Sequence, residues 1–172
     1  MLAPTFRKFV FGAIAVAMLP GLASAAAYSN GSQTSSFDVT MKIVADCTIA
    51  ANGLDFGQTQ GVLARTVTAS SAINVTCTNT TPYNVGLNAG TGAGSSGTAR
   101  YLSGTGANTN TVRFNLYQAP GATLWGNTQG TDTMAGTGSG ALQTLTVYGE
   151  IPAQASPAPD SYKSTITATV YF

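Results

Sequence analysis

Apolar and polar residues alternate along this chain in short runs. Phe37-Asp38-Val39-Thr40-Met41-Lys42-Ile43 does so without a break. A period of two over that length predicts a strand with one buried and one wet face. Ile73-Asn74-Val75-Thr76-Cys77 repeats the pattern and sets the Cys77 sulfur on the buried face. Tyr83–Leu87, Val112–Leu116 and Leu145–Val147 continue the series. The sequence closes on Ile166–Phe172, apolar at every even position. Thr, Val, Ile, Tyr and Phe fill these runs while Gly, Asn and Ser separate them, which is the composition of an all-β protein. After the first segment no capped stretch shows a sustained helical period. Asn88–Arg100, Ser103–Thr111 and Gly126–Gly140 read as loops, long ones for hairpins. About seven strands around one core predict an antiparallel immunoglobulin-like sandwich.

Residues 1–25 break this pattern and read as a secretory signal peptide. Arg7 and Lys8 precede the apolar run Phe9–Leu19, Pro20 and Gly21 end it, and Ala23-Ser24-Ala25 fits the small-x-small cleavage rule. Cleavage after Ala25 is expected, with Ala27 as the alternative. The apolar run is about half the ~20 residues that a spanning helix needs, and no second one follows, so the mature chain is expected to carry no membrane span. Residues 26–172 then form a single domain, long enough to bury one core.

Composition narrows the chemistry. The chain has no histidine and only 8% charged residues, against about 25% in ordinary domains. Imidazole metal sites and Ser-His-Asp or Cys-His catalysis are therefore excluded. The mature cations Lys42, Arg65, Arg100, Arg113 and Lys163 nearly balance Asp38, Asp46, Asp55, Asp132, Glu150 and Asp160. No basic surface for nucleic acid results. Low charge with 44% apolar residues also argues against disorder. No cofactor is expected.

The remaining motifs fail on context. Gly92-Ala93-Gly94-Ser95-Ser96-Gly97 matches G-x-G-x-x-G but lacks the flanking strand and helix that a dinucleotide needs, and Tyr117 stands where the acid belongs. Asp132 with Glu150 or Asp160 would be the pair for a glycosidase, yet each reads more simply as a loop or strand-end residue. Trp125 reads as a core anchor before it reads as a sugar platform. Asn30-Gly31-Ser32, Asn74-Val75-Thr76 and Asn79-Thr80-Thr81 match glycosylation sequons, which mean little in a Thr-rich chain. An enzyme is not expected.

Export places Cys47 and Cys77, the only cysteines, in an oxidising space where they are expected to form a disulfide. Ahead of Cys47 a polar stretch, 26–36, leads into Phe37, Val39, Met41 and Ile43. After the last strand nothing remains to fold back, so a groove is expected to be left open. An extension from a neighbouring copy would fill it by β-augmentation.

Four features together resemble the spore coat protein U domain family, which includes major pilin subunits of archaic chaperone–usher pili. They are the alternating segment leading to Cys47-Thr48-Ile49, the element Leu54-Asp55-Phe56-Gly57, the second cysteine closing Ile73–Cys77, and the ending Tyr162–Phe172. Tyr162, Ile166, Val170 and Phe172 match the family's closing strand. Ser161 and Ser164 depart from it, standing where Gly or an acid, and Asp, are common. The resemblance implies an incomplete sandwich exported to the periplasm and held by a dedicated chaperone that lends a strand. At an outer-membrane usher the next subunit's N-terminal extension replaces that strand, building an extracellular fibre for adhesion and biofilm formation. Phe37, Val39, Met41 and Ile43, within a donor extension of about 26–43, have the period to be that strand. Alternatively they are the subunit's own first strand. The competing functions are a secreted coat or matrix protein that does not polymerise, and a surface-binding adhesin.

Overall fold

The structure, a computed structural model, describes residues 31–58 and 63–172. The expected signal peptide and the first part of the extension lie outside these residues. The chain divides into Met1–Met41 and Lys42–Phe172.

The second unit is all-β and antiparallel, with no helix among the described residues. Its described residues form nine strands: β1 Cys47–Ala51, β2 Val67–Cys77, β3 Pro82–Leu87, β4 Arg100–Gly104, β5 Thr111–Tyr117, β6 Met134–Thr137, β7 Leu142–Ile151, β8 Tyr162–Lys163 and β9 Ala168–Tyr171. One sheet has the order β1-β2-β7-β5-β4-β8 and the other β6-β3-β9. This is an immunoglobulin-like sandwich. Inward side chains at alternate positions make its core, including Ile73, Val75 and Cys77 from β2, Val85 and Leu87 from β3, and Val112, Phe114 and Leu116 from β5. Cys77 is buried on the face its pattern assigns.

Three elements were not expected. β1 follows the first alternating run, β4 spans the junction of two stretches that read as loops, and β6 falls within a third. All are short, and backbone pairing to β2, β5 and β3 holds them. The closing strand is also shorter than its alternation. Tyr162-Lys163 pairs with β4, Ala168–Tyr171 pairs with β3, and the chain changes sheets between them.

The predicted strand at 37–43 is absent. Residues 31–46 form no regular structure, and Phe37, Val39 and Met41 are each 85% exposed. An alternating segment becomes a strand only when a partner satisfies its backbone groups and covers one face. Among the described residues, 37–43 belong to no strand, and the first strand is β1 from Cys47.

Candidate functional site

The second unit leaves its core open on one side. A cavity of about 1230 Å³ penetrates between the sheets. Its floor is apolar, built from Val67, Ile73, Leu102, Phe114, Val147 and Ile151. One wall is the chain that follows β1, Ala51–Gln58, and the other is Ser156–Ile166 with Ala168. Strand direction locates the opening. β3 and β7 finish there and β2 and β9 begin there, as the pairings Leu87↔Ala168 and Val67↔Ile151 require.

The floor is continuous with the buried core, so the opening exposes apolar surface that a closed sandwich would cover. Leu54, Phe56, Val67, Leu102, Tyr162, Ile166 and Ala168 are only partly buried as a result. Leu54 and Phe56 fold in over Gly149, where an added Cβ would lie 2.8–2.9 Å from their side-chain atoms. Phe56 also meets Phe114 edge to face at 6.4 Å. The Leu-Asp-Phe-Gly element thus forms one lip of the groove. Gly57 turns the chain there at φ 74°, with its N–H donating to Asp55 Oδ1.

The other lip is the closing strand. Tyr162 donates its hydroxyl to the Ala158 carbonyl at 2.6 Å, and the hydroxyl oxygen accepts from Asn108 Nδ2 at 2.6 Å. A tyrosine tied to the backbone just upstream is the corner device of immunoglobulin-like folds. Ser164 Oγ accepts from both Thr91 N–H and Gly92 N–H at 3.1 Å. An acceptor is what the position needs, and serine supplies it in place of aspartate. Ile166, Ala168 and Val170 are half-buried and Phe172 is 58% exposed.

Cys47 and Cys77 form a disulfide, with the sulfurs 2.04 Å apart. It bolts the first residue of β1 to the last of β2.

Trp125 and Arg100 are both fully buried, and only the first stood out in the sequence. Trp125 Nε1 donates to the Val85 carbonyl at 2.7 Å, and the ring is fully buried; it is a core anchor, with no face left for a sugar. Arg100 Nε donates to the Asn88 carbonyl, and Nη2 donates to those of Leu87 and Trp125. Burial lowers the guanidinium pKa to about 10, partly offset by the Asp132 charge. A lone arginine at the end of a glycine-rich run carries no sequence sign of this role.

The other carboxylates hold their own surroundings. Asp132 accepts from Thr128 N–H within a turn, Asp160 accepts from Ser161 N–H and from Gly106 N–H in a distant loop, and Glu150 accepts from the Tyr117 hydroxyl. No group of potential metal ligands occurs among the described residues. Gly92–Gly97 lies between two strands, with β4 and not a helix after it.

No curated protein matches the chain by sequence. Among solved structures it is similar to a chain of the CsuC–CsuE chaperone–tip adhesion subunit pre-assembly complex, from the archaic chaperone–usher Csu pili of Acinetobacter baumannii. Identity there is 21% and the TM-score 0.54, covering 76% of this chain and 40% of that one. This chain therefore spans less than half the length of that neighbour, and the likeness is one of fold. The minor tip subunit HdaB of the E. coli Hda pilus overlaps more loosely, at 16% identity and a TM-score of 0.38, covering 73% of this chain and 79% of its own. The model of the Spore Coat Protein U domain matches residues 33–169, nearly the whole of the sandwich and the segment before it, and the chain belongs to that family.

Proposed function

We propose that this protein is a structural subunit of a secreted chaperone–usher surface fibre, assembled by donor-strand exchange. The observation that carries the reading is the opening of the core between the lip 51–58 and the lip 156–168. An apolar cleft with unpaired strand edges is an aggregation hazard until a strand fills it. Phe37, Val39, Met41 and Ile43 have the matching form: apolar, alternate and exposed. Inserted into a neighbouring copy, they would put four apolar side chains into the groove while their backbone completes the ladder. The partners are a periplasmic chaperone that fills the groove first, an outer-membrane usher, and further copies. The role is structural rather than enzymatic, in adhesion and biofilm formation at the cell surface.

The test is expression of the mature chain in a periplasm with and without its chaperone. With it, a soluble one-to-one complex is expected. Without it, the chain should be degraded, aggregate or associate by strand exchange. A stable monomer that needs no partner would instead support the coat or matrix reading.

A further inference from the structure

Thr78 stands at the root of the extension, outside the groove and outside the core. Its backbone N–H donates to the Asp46 carbonyl at 2.9 Å. Its Oγ1 accepts from Asp46 N–H at 3.1 Å and lies 3.3 Å and 3.4 Å from the carbonyls of Asp46 and Val44. One threonine therefore holds three backbone groups over residues 44–46. The disulfide Cys47–Cys77 lies one step further in.

These bonds extend the β1–β2 ladder by a rung beyond its last pair, Cys47↔Cys77. The chain at 44–46 thus keeps the line of β1 past the end of β2. The groove opens at the opposite end of β1, beyond Ala51. To reach its own groove, the extension would have to reverse at residues 44–46, and the Thr78 bonds occupy the backbone groups such a turn would release.

We infer that Thr78 is a positioning residue that commits the extension to a neighbouring copy. Holding the root in line with β1, on the side away from the groove, makes the contact heterologous. Head-to-tail contacts that do not close generate open arrays. Freed at residues 44–46, the extension gains access to its own groove, as a self-complemented monomer, and to reciprocal exchange, as a closed dimer. Both remove subunits from a growing fibre. The inference rests on the donor reading above.

The experiment uses the full mature chain, released from its chaperone, and measures the ratio of closed monomer and dimer to open multimers by size-exclusion chromatography with light scattering. Thr78→Val removes the hydroxyl. Asp46→Pro removes the N–H it accepts and leaves Thr78 intact, so it carries the test if Thr78→Val fails to fold. Either variant should raise the closed-to-open ratio about fivefold, the effect of losing a hydrogen bond of ordinary net strength. Thr78→Ser, which keeps the hydroxyl, should restore the wild-type ratio. An unchanged ratio in folded Thr78→Val or Asp46→Pro overturns the inference, as does a raised ratio in Thr78→Ser. Failure of the donor reading is a separate result: wild-type multimers would then be indifferent to Val39→Arg.

Discussion

Arg100 Nη2 donates a 2.7 Å hydrogen bond to the carbonyl of Trp125, and both residues are 0% exposed. The same guanidinium reaches the end of β3 at Leu87 and Asn88, while Trp125 reaches Val85. Arginine and tryptophan together tie the β5–β6 connection to β3. Arg100→Met should leave those carbonyls unpaired in the core and cost about 3 kcal/mol. Arg100→Lys should recover little, because an ammonium lacks the fork that reaches several carbonyls at once. Denaturant titration of the chaperone-free or self-associated protein compares them, and a lysine variant as stable as wild type would contradict the geometry.

Loss of the disulfide should be as costly. The loop it closes spans a sequence separation of 30, and native bridges in secreted domains are typically worth about 2–5 kcal/mol. Cys77→Ser should lower the yield of folded protein, and thiol labelling of wild type without reductant should find neither cysteine free.

The two faces of the proposed donor should differ. Val39→Arg or Met41→Arg would carry an unpaired charge into an apolar groove, at a cost of several kcal/mol or more. Thr40→Arg stays in solvent and should cost little. Inward variants should keep chaperone binding, which uses their own groove, yet fail to join the subunit ahead, shortening the ladder on non-boiled gels. If Val39→Arg and Thr40→Arg give the same ladder, the segment is not buried in a partner.

Groove variants should behave otherwise. Leu102→Arg and Ile166→Arg alter the acceptor, so they should lose chaperone binding and assembly together. Pull-down by the chaperone separates the two classes.

The alkaline limb of stability should depend on Tyr83. Its side chain is buried and its pKa raised above 10.0 by that burial. The folded state keeps the proton after the unfolded chain has lost it. Stability from this group is therefore complete below the unfolded pKa of about 10 and is lost as pH rises through the raised value. Arg100, lowered by burial to about 10, has the opposite slope above that value. Tyr83→Phe should flatten the alkaline decline in denaturation midpoints; an identical decline would place its origin elsewhere.

The sequence by itself determined the fold class, the inward face of β2, β3 and β5, and the pairing of its only two cysteines. Each follows from local information: period-two alternation has one interpretation in a half-buried strand, and two cysteines allow one intramolecular pairing. The lips of the groove were legible as motifs, Leu54–Gly57 and Tyr162–Phe172, but not as walls of one cleft. Only the tertiary structure decided that. Whether an edge is open depends on which strands pair between distant parts of the chain, as Leu87 with Ala168 and Val67 with Ile151 illustrate. The same holds for β4 and β6, whose short sequences carry little strand signal until β5 and β3 lie beside them, and for Arg100, whose burial is possible only because three carbonyls from two separate segments converge on it. It holds most of all for Phe37–Ile43, where alternation specifies a face to bury and, among the described residues, Phe37, Val39, Met41 and Ile43 are exposed.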